Sequence, residues 1–482
     1  MPGVRGLQLT VLLTILSSCG RIGYEADAPL PGAGADRIVF WTDWADVATL
    51  TDAELDAYAA LGVDGFVMQV QHLSGLGGAA EWTPDGRAEI GDEYAIQRTI
   101  SGSNIVARAR ARGIELYLGF YLVSYFNTST PLAEWFDDAG WAHVHAKLRE
   151  LAGAAHALGL DGLALDHELY PQNGGVTSAS WAWSHPGNTR AEAEVRAMAT
   201  QRGEETMAAL VEAFPGVELL AYALELPGDF AERVREEVHG VSDGNAALVQ
   251  VDFWNGMARS EGYGRITMLQ AVFYKTPHIT SSWDHAMQFD VNRVLATLSR
   301  RWDNWDHASS RLFVSPFAWI DEGPMDSTFY EARPPEYVRG QLRAMRRWGM
   351  GGLFGNRCYA DCDLADYDAH ADALREASQP GVVDTIDPTI EVTPSSTTLA
   401  GTASDDMAVR VVRWRDDAGG TGAAQMTWAI DAGDEDVGFT WHTEWTVPAG
   451  DLAPGATSVT VTAEDIKGRV SEPVLVHWPS AS

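Results

Sequence analysis

The chain has 482 residues, 46% of them hydrophobic, and a formal net charge of −33 at pH 7. That length suits one large domain plus a smaller one, with a sizeable core. The acidic excess argues against nucleic acid, or a broad anionic lipid surface, as partner and fits an extracytoplasmic solubility role; it says little about substrate, since it is compatible with any neutral sugar or cationic polymer.

Residues 1–19 combine Arg5, a short apolar run from Leu7 to Leu16, and Leu16-Ser17-Ser18-Cys19, the pattern of a secretory signal that ends in a bacterial lipobox. Lipidation of Cys19 is expected, and Gly20 in place of an Asp points to the outer membrane or cell surface. An ordinary secretory signal with a chance cysteine is the plainer alternative. No later stretch reaches the ~18 uninterrupted apolar residues of a membrane span, so the membrane is expected as a partner only through the N-terminal lipid. Residues 20–36, rich in Gly, Ala, Pro and acids, form a flexible tether.

Beyond Asp36, short apolar strands alternate with helical patterns. The strands are Arg37–Trp44, Val63–Val70, Ile114–Leu122, Leu160–Tyr170, Val217–Leu226, Met268–Tyr274, Leu312–Ile320 and Gly351–Asn356. Between them lie amphipathic runs at Asp52–Leu61, Ser103–Arg112, Gly140–Leu158, Thr189–Phe214, Val291–Trp305 and Pro335–Trp348, several closed by Gly. The alternation predicts an α/β fold, a (β/α)8 TIM barrel over 37–380. Ala247–Trp254 is also strand-like, and fits the sixth strand or an added hairpin.

In the fourth strand, Asp161-Gly162-Leu163-Ala164-Leu165-Asp166-His167-Glu168 puts Ala164, Asp166 and Glu168 on one face and Leu163 and Leu165 on the other. Two acids about 7 Å apart on one face repel each other, which raises the pKa of at least one, as a general acid near neutral pH requires. The plainer alternative is an Asp capping the next helix and Glu168 paired to an Arg. Catalytic residues of such barrels come from the C-terminal strand ends, which here carry Asp43 and Trp44, Gln69, Gln71 and His72, Tyr121 and Tyr125, Glu225, Tyr274 and Lys275, Asp321 and Glu322, and Asn356 and Arg357. Each taken singly also fits a helix cap or a loop hydrogen-bonder. Of 18 tryptophans, Trp254, Trp283, Trp302, Trp305 and Trp319 fall in the second half of the barrel; some are expected to line a cleft by stacking on sugar rings, and most to be core. Cys358 and Cys362 are spaced for a small local disulfide, and no metal site is expected, since no ligand cluster accompanies them or His370.

After Gln379-Pro380-Gly381 the helical period ends, and a second domain is expected over 384–482. Alternating runs at Ile390–Val392, Val409–Trp414, Gln425–Ile430, Glu444–Val447, Ser458–Ala463 and Val474–Trp478 predict an all-β sandwich. Leu399-Ala400-Gly401-Thr402-Ala403-Ser404-Asp405-Asp406 and Val459-Thr460-Val461-Thr462-Ala463-Glu464-Asp465 resemble bacterial Ig-like modules. Asp405-Asp406 fits a turn better than a calcium site.

The segment Asp161–Glu168, with Tyr170-Pro171 behind it, resembles the D-G-x-D-x-D-x-E signature of the chitinases of glycoside hydrolase family 18. The resemblance implies Glu168 as the acid that protonates the glycosidic oxygen, and Asp166 as the neighbour that orients a substrate acetamido group for internal attack. Ala164 stands where the family has its first inner Asp. Leu118-Gly119-Phe120-Tyr121 lacks the family's Ser-x-Gly-Gly, and neither Phe253-Trp254 nor Phe273-Tyr274-Lys275 reproduces its Met-x-Tyr-Asp. A second route pairs Glu168 with Glu322 or Glu225 as nucleophile or water-activating base. The expectation is a monomeric, lipid-anchored glycosidase acting on a glycan outside the cytoplasm, with Trp44, Gln71, Tyr121, Tyr274, Trp319 and Asn356 orienting the sugar and no metal or organic cofactor. The alternative is a non-catalytic carbohydrate-binding surface lipoprotein on the same scaffold, which Ala164 favours.

Overall fold

The computed structural model describes residues 37–69, 100–121, 135–166, 181, 183–184, 187–222, 249–270, 283–316, 339, 357–358, 371–377, 386–395, 397–434 and 438–478. Strands β1 (Val39–Asp43), β2 (Gly65–Gln69), β3 (Glu115–Tyr121), β4 (Gly162–Asp166), β5 (Glu218–Tyr222), β6 (Arg265–Gln270), β7 (Leu312–Pro316) and β8 (Arg357–Cys358) form one 8-stranded sheet in the order β7-β6-β5-β4-β3-β2-β1-β8. Every described pairing in it is parallel. Consecutive parallel strands joined through helices give an α/β fold with TIM-like strand order. The expected eighth strand, Gly351–Asn356, lies outside the described residues.

The described helices are α1 (Trp44–Thr49), α2 (Asp52–Ala60), α3 (Ile105–Arg110), α4 (Asp138–Leu158), α5 (Glu192–Ala213), α6 (Gln250–Arg259), α7 (Trp283–Arg301), α8 (Trp305–Ala308) and α9 (Ala371–Ala377). Local chemistry sets several of their ends. Thr51 and Glu54 exchange side-chain-to-backbone hydrogen bonds of 3.3 and 2.6 Å in a capping box that starts α2. Asp137 accepts from the Gly140 amide at 3.0 Å and starts α4, and Gly159, at φ 74°, stops it. Gly62, Gly113, Gly216 and Gly262 take the same left-handed conformation before β2, β3, β5 and β6, which is why a Gly closes each helical pattern in the sequence.

Strand alternation separates two faces. Tyr58 of α2 packs edge-on against Phe40 and Phe66, whose rings lie 6.3 Å apart, so Phe40 and Phe66 face the helices. Their strand neighbours Val39 and Gly65 lie on the other side, in register with Glu115. That side is concave. Arg37, just before β1, reaches Glu218 at the start of β5 at 2.5 Å, although four strand spacings of a flat sheet would separate them by about 19 Å. Only a sheet curled toward this face brings the two together.

The strand-like Ala247–Trp254 is corrected to the start of a helix: α6 spans Gln250–Arg259. Gln250, Phe253, Trp254 and Met257 are among its buried positions and recur at helical spacing, which outweighs the short apolar run before them. Gly256 lies against the backbone of Thr200 in α5, and Gly203 against the backbone of Phe253, so the two helices touch through paired glycines. A Cβ at either position would overlap a carbonyl oxygen.

The remaining strands are β9 (Thr389–Pro394), β10 (Thr398–Ser404), β11 (Val409–Asp416), β12 (Thr421–Ala423), β13 (Gln425–Asp434), β14 (Gly438–Pro448), β15 (Ser458–Asp465) and β16 (Val474–His477). They form two 4-stranded antiparallel sheets, β13-β14-β10-β9 and β12-β11-β15-β16. Leu399, Trp414, Met426, Trp445, Val459 and Val461 are among the buried residues of this β domain. β10 and β12 do not stand out as strands in the sequence because they are built of small and polar residues. Gly401 of β10 admits the Trp445 ring, which a Cβ would meet at 2.7 Å. Asp405 accepts from the Met407 amide at 2.8 Å, the hydrogen bond of an Asx turn.

Replacing Gly203 or Gly256 by Ala is predicted to cost about 3 kcal/mol or more. The double variant should cost clearly less than the sum, because both substitutions part the same contact. Chemical denaturation of the three variants reads this directly.

Candidate active site

Because the eight strands are parallel, their last residues, Asp43, Gln69, Tyr121, Asp166, Tyr222, Gln270, Pro316 and Cys358, share one edge of the sheet. This is the edge where TIM-like enzymes place their chemistry. Asp166 closes β4 in register with Tyr121 of β3 and Tyr222 of β5. Tyr222 was not singled out by motif; its place beside Asp166 comes from the register alone.

The segment 161–166 divides by cause. Asp161 accepts from the Leu116 amide at 2.9 Å and from Arg110 at 3.2 Å, pinning the start of β4 to β3. Gly162 leaves room for the Tyr117 ring, which a Cβ would meet at 2.9 Å. Leu163, Ala164 and Leu165 are fully buried. Ala164 sits in register between Gly119 and Leu220, two further uncharged positions. Packing therefore accounts for positions 161–165 and leaves Asp166 at the rim.

Of the residues expected to form the site, Glu168, Glu225, Glu322, Gln71, Tyr274, Trp319 and Asn356 lie outside the described residues, as do Cys19 and Cys362. Trp44 opens α1, Tyr121 and Asp166 close β3 and β4, and Cys358 closes β8; these four are placed by their backbone. Trp254, Trp302 and Trp305 are core residues, at most 4% exposed, so none of the three lines a cleft. Much of the tryptophan content is helix-layer packing: Trp135 and Trp141 stack at 5.5 Å, and Trp181 meets Trp135 and Phe253 edge-on. Beside them His145 faces Thr206 at 3.1 Å, and burial pushes its imidazole down to about 4.

Sequence reasoning missed an ionic cluster at the opposite edge. Arg37 donates to Glu115 at 2.5 Å and to the Tyr117 hydroxyl at 2.7 Å, and its second terminal nitrogen pairs with Glu218 at 2.5 Å. Tyr117 donates to Glu115 at 2.7 Å, and Arg265 meets the same Glu218 oxygen at 2.5 Å. Burial pushes the Glu218 carboxyl up to about 7 against the pull of Arg37, and neighbouring Glu115 adds to the rise. Burial likewise raises the Tyr117 phenol well above its ordinary value. Burial would lower Arg37, but Tyr117, Glu218 and Glu115 hold it above the ordinary guanidinium value. A carboxyl tuned near neutrality often marks an active site, yet these groups sit at or close to the starts of their strands, away from the rim. The available signal was a charged residue opening each of three apolar strands: Glu115, Glu218 and Arg265.

Among the described residues, no group of three or more His, Cys, Asp or Glu is placed to hold a metal ion, and no helix is long and apolar enough to cross a membrane. No protein-family model and no curated protein matches the chain. Among solved structures, morphinone reductase aligns at a TM-score of 0.34 and 12% identity, over 66% of this chain and 81% of that one. At that level the likeness carries no argument about activity.

Glu218 gives a pH prediction. Its folded value near 7 lies above the ordinary carboxylate value of 4.5, so the folded state favours the protonated form. Its contribution to stability is therefore full below about 4.5 and falls as pH rises toward 7. The stability difference between wild type and Glu218→Gln should shrink across that window; a difference that stays flat there would show the carboxyl ionised throughout.

Proposed function

We propose that the chain is a glycoside hydrolase of extracytoplasmic glycans, with Glu168 as general acid. The supporting observation is the end of β4: packing explains Asp161 through Leu165, and the strand then delivers Asp166 to the C-terminal rim between the register positions of Tyr121 and Tyr222. Glu168 follows two residues later. In this reading the catalytic domain is a closed (β/α)8 barrel over 37–380, distantly related to glycoside hydrolase family 18. An Ig-like module follows over 384–482, and lipidated Cys19 with the tether 20–36 holds the monomer at the outer membrane or cell surface.

Glu168 protonates the glycosidic oxygen as the bond to the leaving sugar breaks. Asp166 orients a substrate acetamido oxygen that attacks the anomeric carbon, or a second carboxylate from Glu322 or Glu225 serves as nucleophile or as base to water. Trp44, Gln71, Tyr121, Tyr274, Trp319 and Asn356 are proposed to hold the sugar. No metal or organic cofactor enters this scheme.

One observation favours a second reading, a carbohydrate-binding protein without turnover. Ala164, where the family has a carboxylate, is fully buried in register between Gly119 and Leu220, so position 164 offers Asp166 no charged support.

Screening residues 37–482 against chitin oligomers, β-glucans and N-glycans, beside Glu168→Gln, decides between them. The enzyme reading predicts turnover in the wild type and a loss of about 100-fold or more in the variant, with ligand binding retained. Binding without turnover in both proteins supports the second reading; turnover untouched by the substitution removes Glu168 from the mechanism.

A further inference from the structure

The start of β7 and the helix before it carry contacts that come from the β domain. Arg410 of β11 is buried, and its guanidinium donates to the backbone oxygen of Ser309 and, at 3.2 Å, to that of Leu312. The same guanidinium lies 5.2 Å from the Phe313 ring centre, and Arg265 of the ionic cluster lies 5.5 Å from that ring. Arg413 reaches Asp306 at 2.7 Å and Ser309 Oγ at 3.1 Å. β13 is an edge strand, and its Met426 amide donates to Ser299 Oγ of α7 at 3.0 Å.

These contacts explain a burial pattern that a free-standing sandwich would not have. β15 alternates between buried and half-buried positions along its whole length, as a strand with one core face should. β11, its neighbour in the same sheet, is buried at Val409, Arg410, Val411 and Val412 in succession. Val412 and Trp414 pair with Ala463 and Val461, buried positions of β15. Val411 pairs with Glu464, on the opposite face, and is nevertheless completely buried. Arg413, two residues on and so on the same outward face, meets Asp306 and Ser309. A detached β domain would expose Val411, leave the Arg410 guanidinium without its carbonyl acceptors, and open the β13 edge to other chains.

We propose that the N-terminal edge of the parallel sheet is an obligate docking surface for the chain's own β domain. The β domain is then the fixed base of the barrel-like unit, with Arg410 a constituent of that unit, and not a mobile carbohydrate-targeting module. The two parts unfold together. This inference is independent of the catalytic reading, because it concerns the edge opposite the rim.

A specific protease site inserted after Gly381 in the full chain tests it. After cleavage, the two fragments should co-elute as one species in gel filtration and unfold in a single thermal transition. Arg410→Met should lower that transition for probes in both parts alike. Ser299→Ala is the milder variant, should Arg410→Met fail to fold, and should speed exchange of the Met426 amide by about ten-fold. Fragments that separate, or two transitions of which the variants move only the one belonging to the β domain, would overturn the proposal, as would unchanged exchange at Met426.

Discussion

The ion pair between Arg37 and Glu218 joins the start of β1 to the start of β5 across the concave face of the parallel sheet. Much of what positions the rim rests on that contact. A guanidinium that simultaneously holds Glu115, Tyr117 and Glu218 sets the curl of five strands with one side chain. Taking these charges from water is expensive, and the loss is offset only because each carboxylate meets more than one donor. Tyr117 then fills the space above Gly162, so the glycine of the candidate signature makes room for a member of the cluster.

The two edges of the sheet divide the labour. At the N-terminal edge, buried charge and the base formed by the β domain converge on Phe313, flanked by Arg265 and Arg410. At the C-terminal edge, the strands end in Asp, Gln, Tyr, Pro and Cys residues. Stability concentrated at one edge leaves the other free to vary its loops, the arrangement that lets TIM-like folds carry many chemistries. A titratable carboxyl near neutrality at the structural edge warns against reading every shifted pKa as catalysis.

Much of the fold was legible in the sequence because its signals are local. The apolar runs at 63–70, 114–122 and 160–170 and the glycines that follow α2, α3, α4 and α5 marked strands and helix ends within a few residues. Ala247–Trp254 misled because the four residues before the helical period are apolar, and nothing local reveals that Gly256 meets α5. β10 was hidden by small residues whose selection comes from Trp445 on a partner strand. The ionic cluster was illegible for the same reason: Arg37, Glu115, Glu218 and Arg265 are far apart in the chain and related only by the curl. Of the site, the backbone puts Asp166 at the end of β4, while the face shared with Glu168 lies outside the described residues; Trp254, Trp302 and Trp305 belong to the core, because aromatic content alone cannot distinguish a cleft from a helix layer.

The most direct test of this account is a double-mutant cycle of Arg37→Met and Glu218→Gln, measured by chemical denaturation at pH 8, where the carboxyl is ionised. The account predicts that the two substitutions are strongly coupled, by about 1.5 kcal/mol or more, since each removes the other's partner. Effects that simply add, within about 0.5 kcal/mol, would mean that the contact across the concave face does not hold the curl.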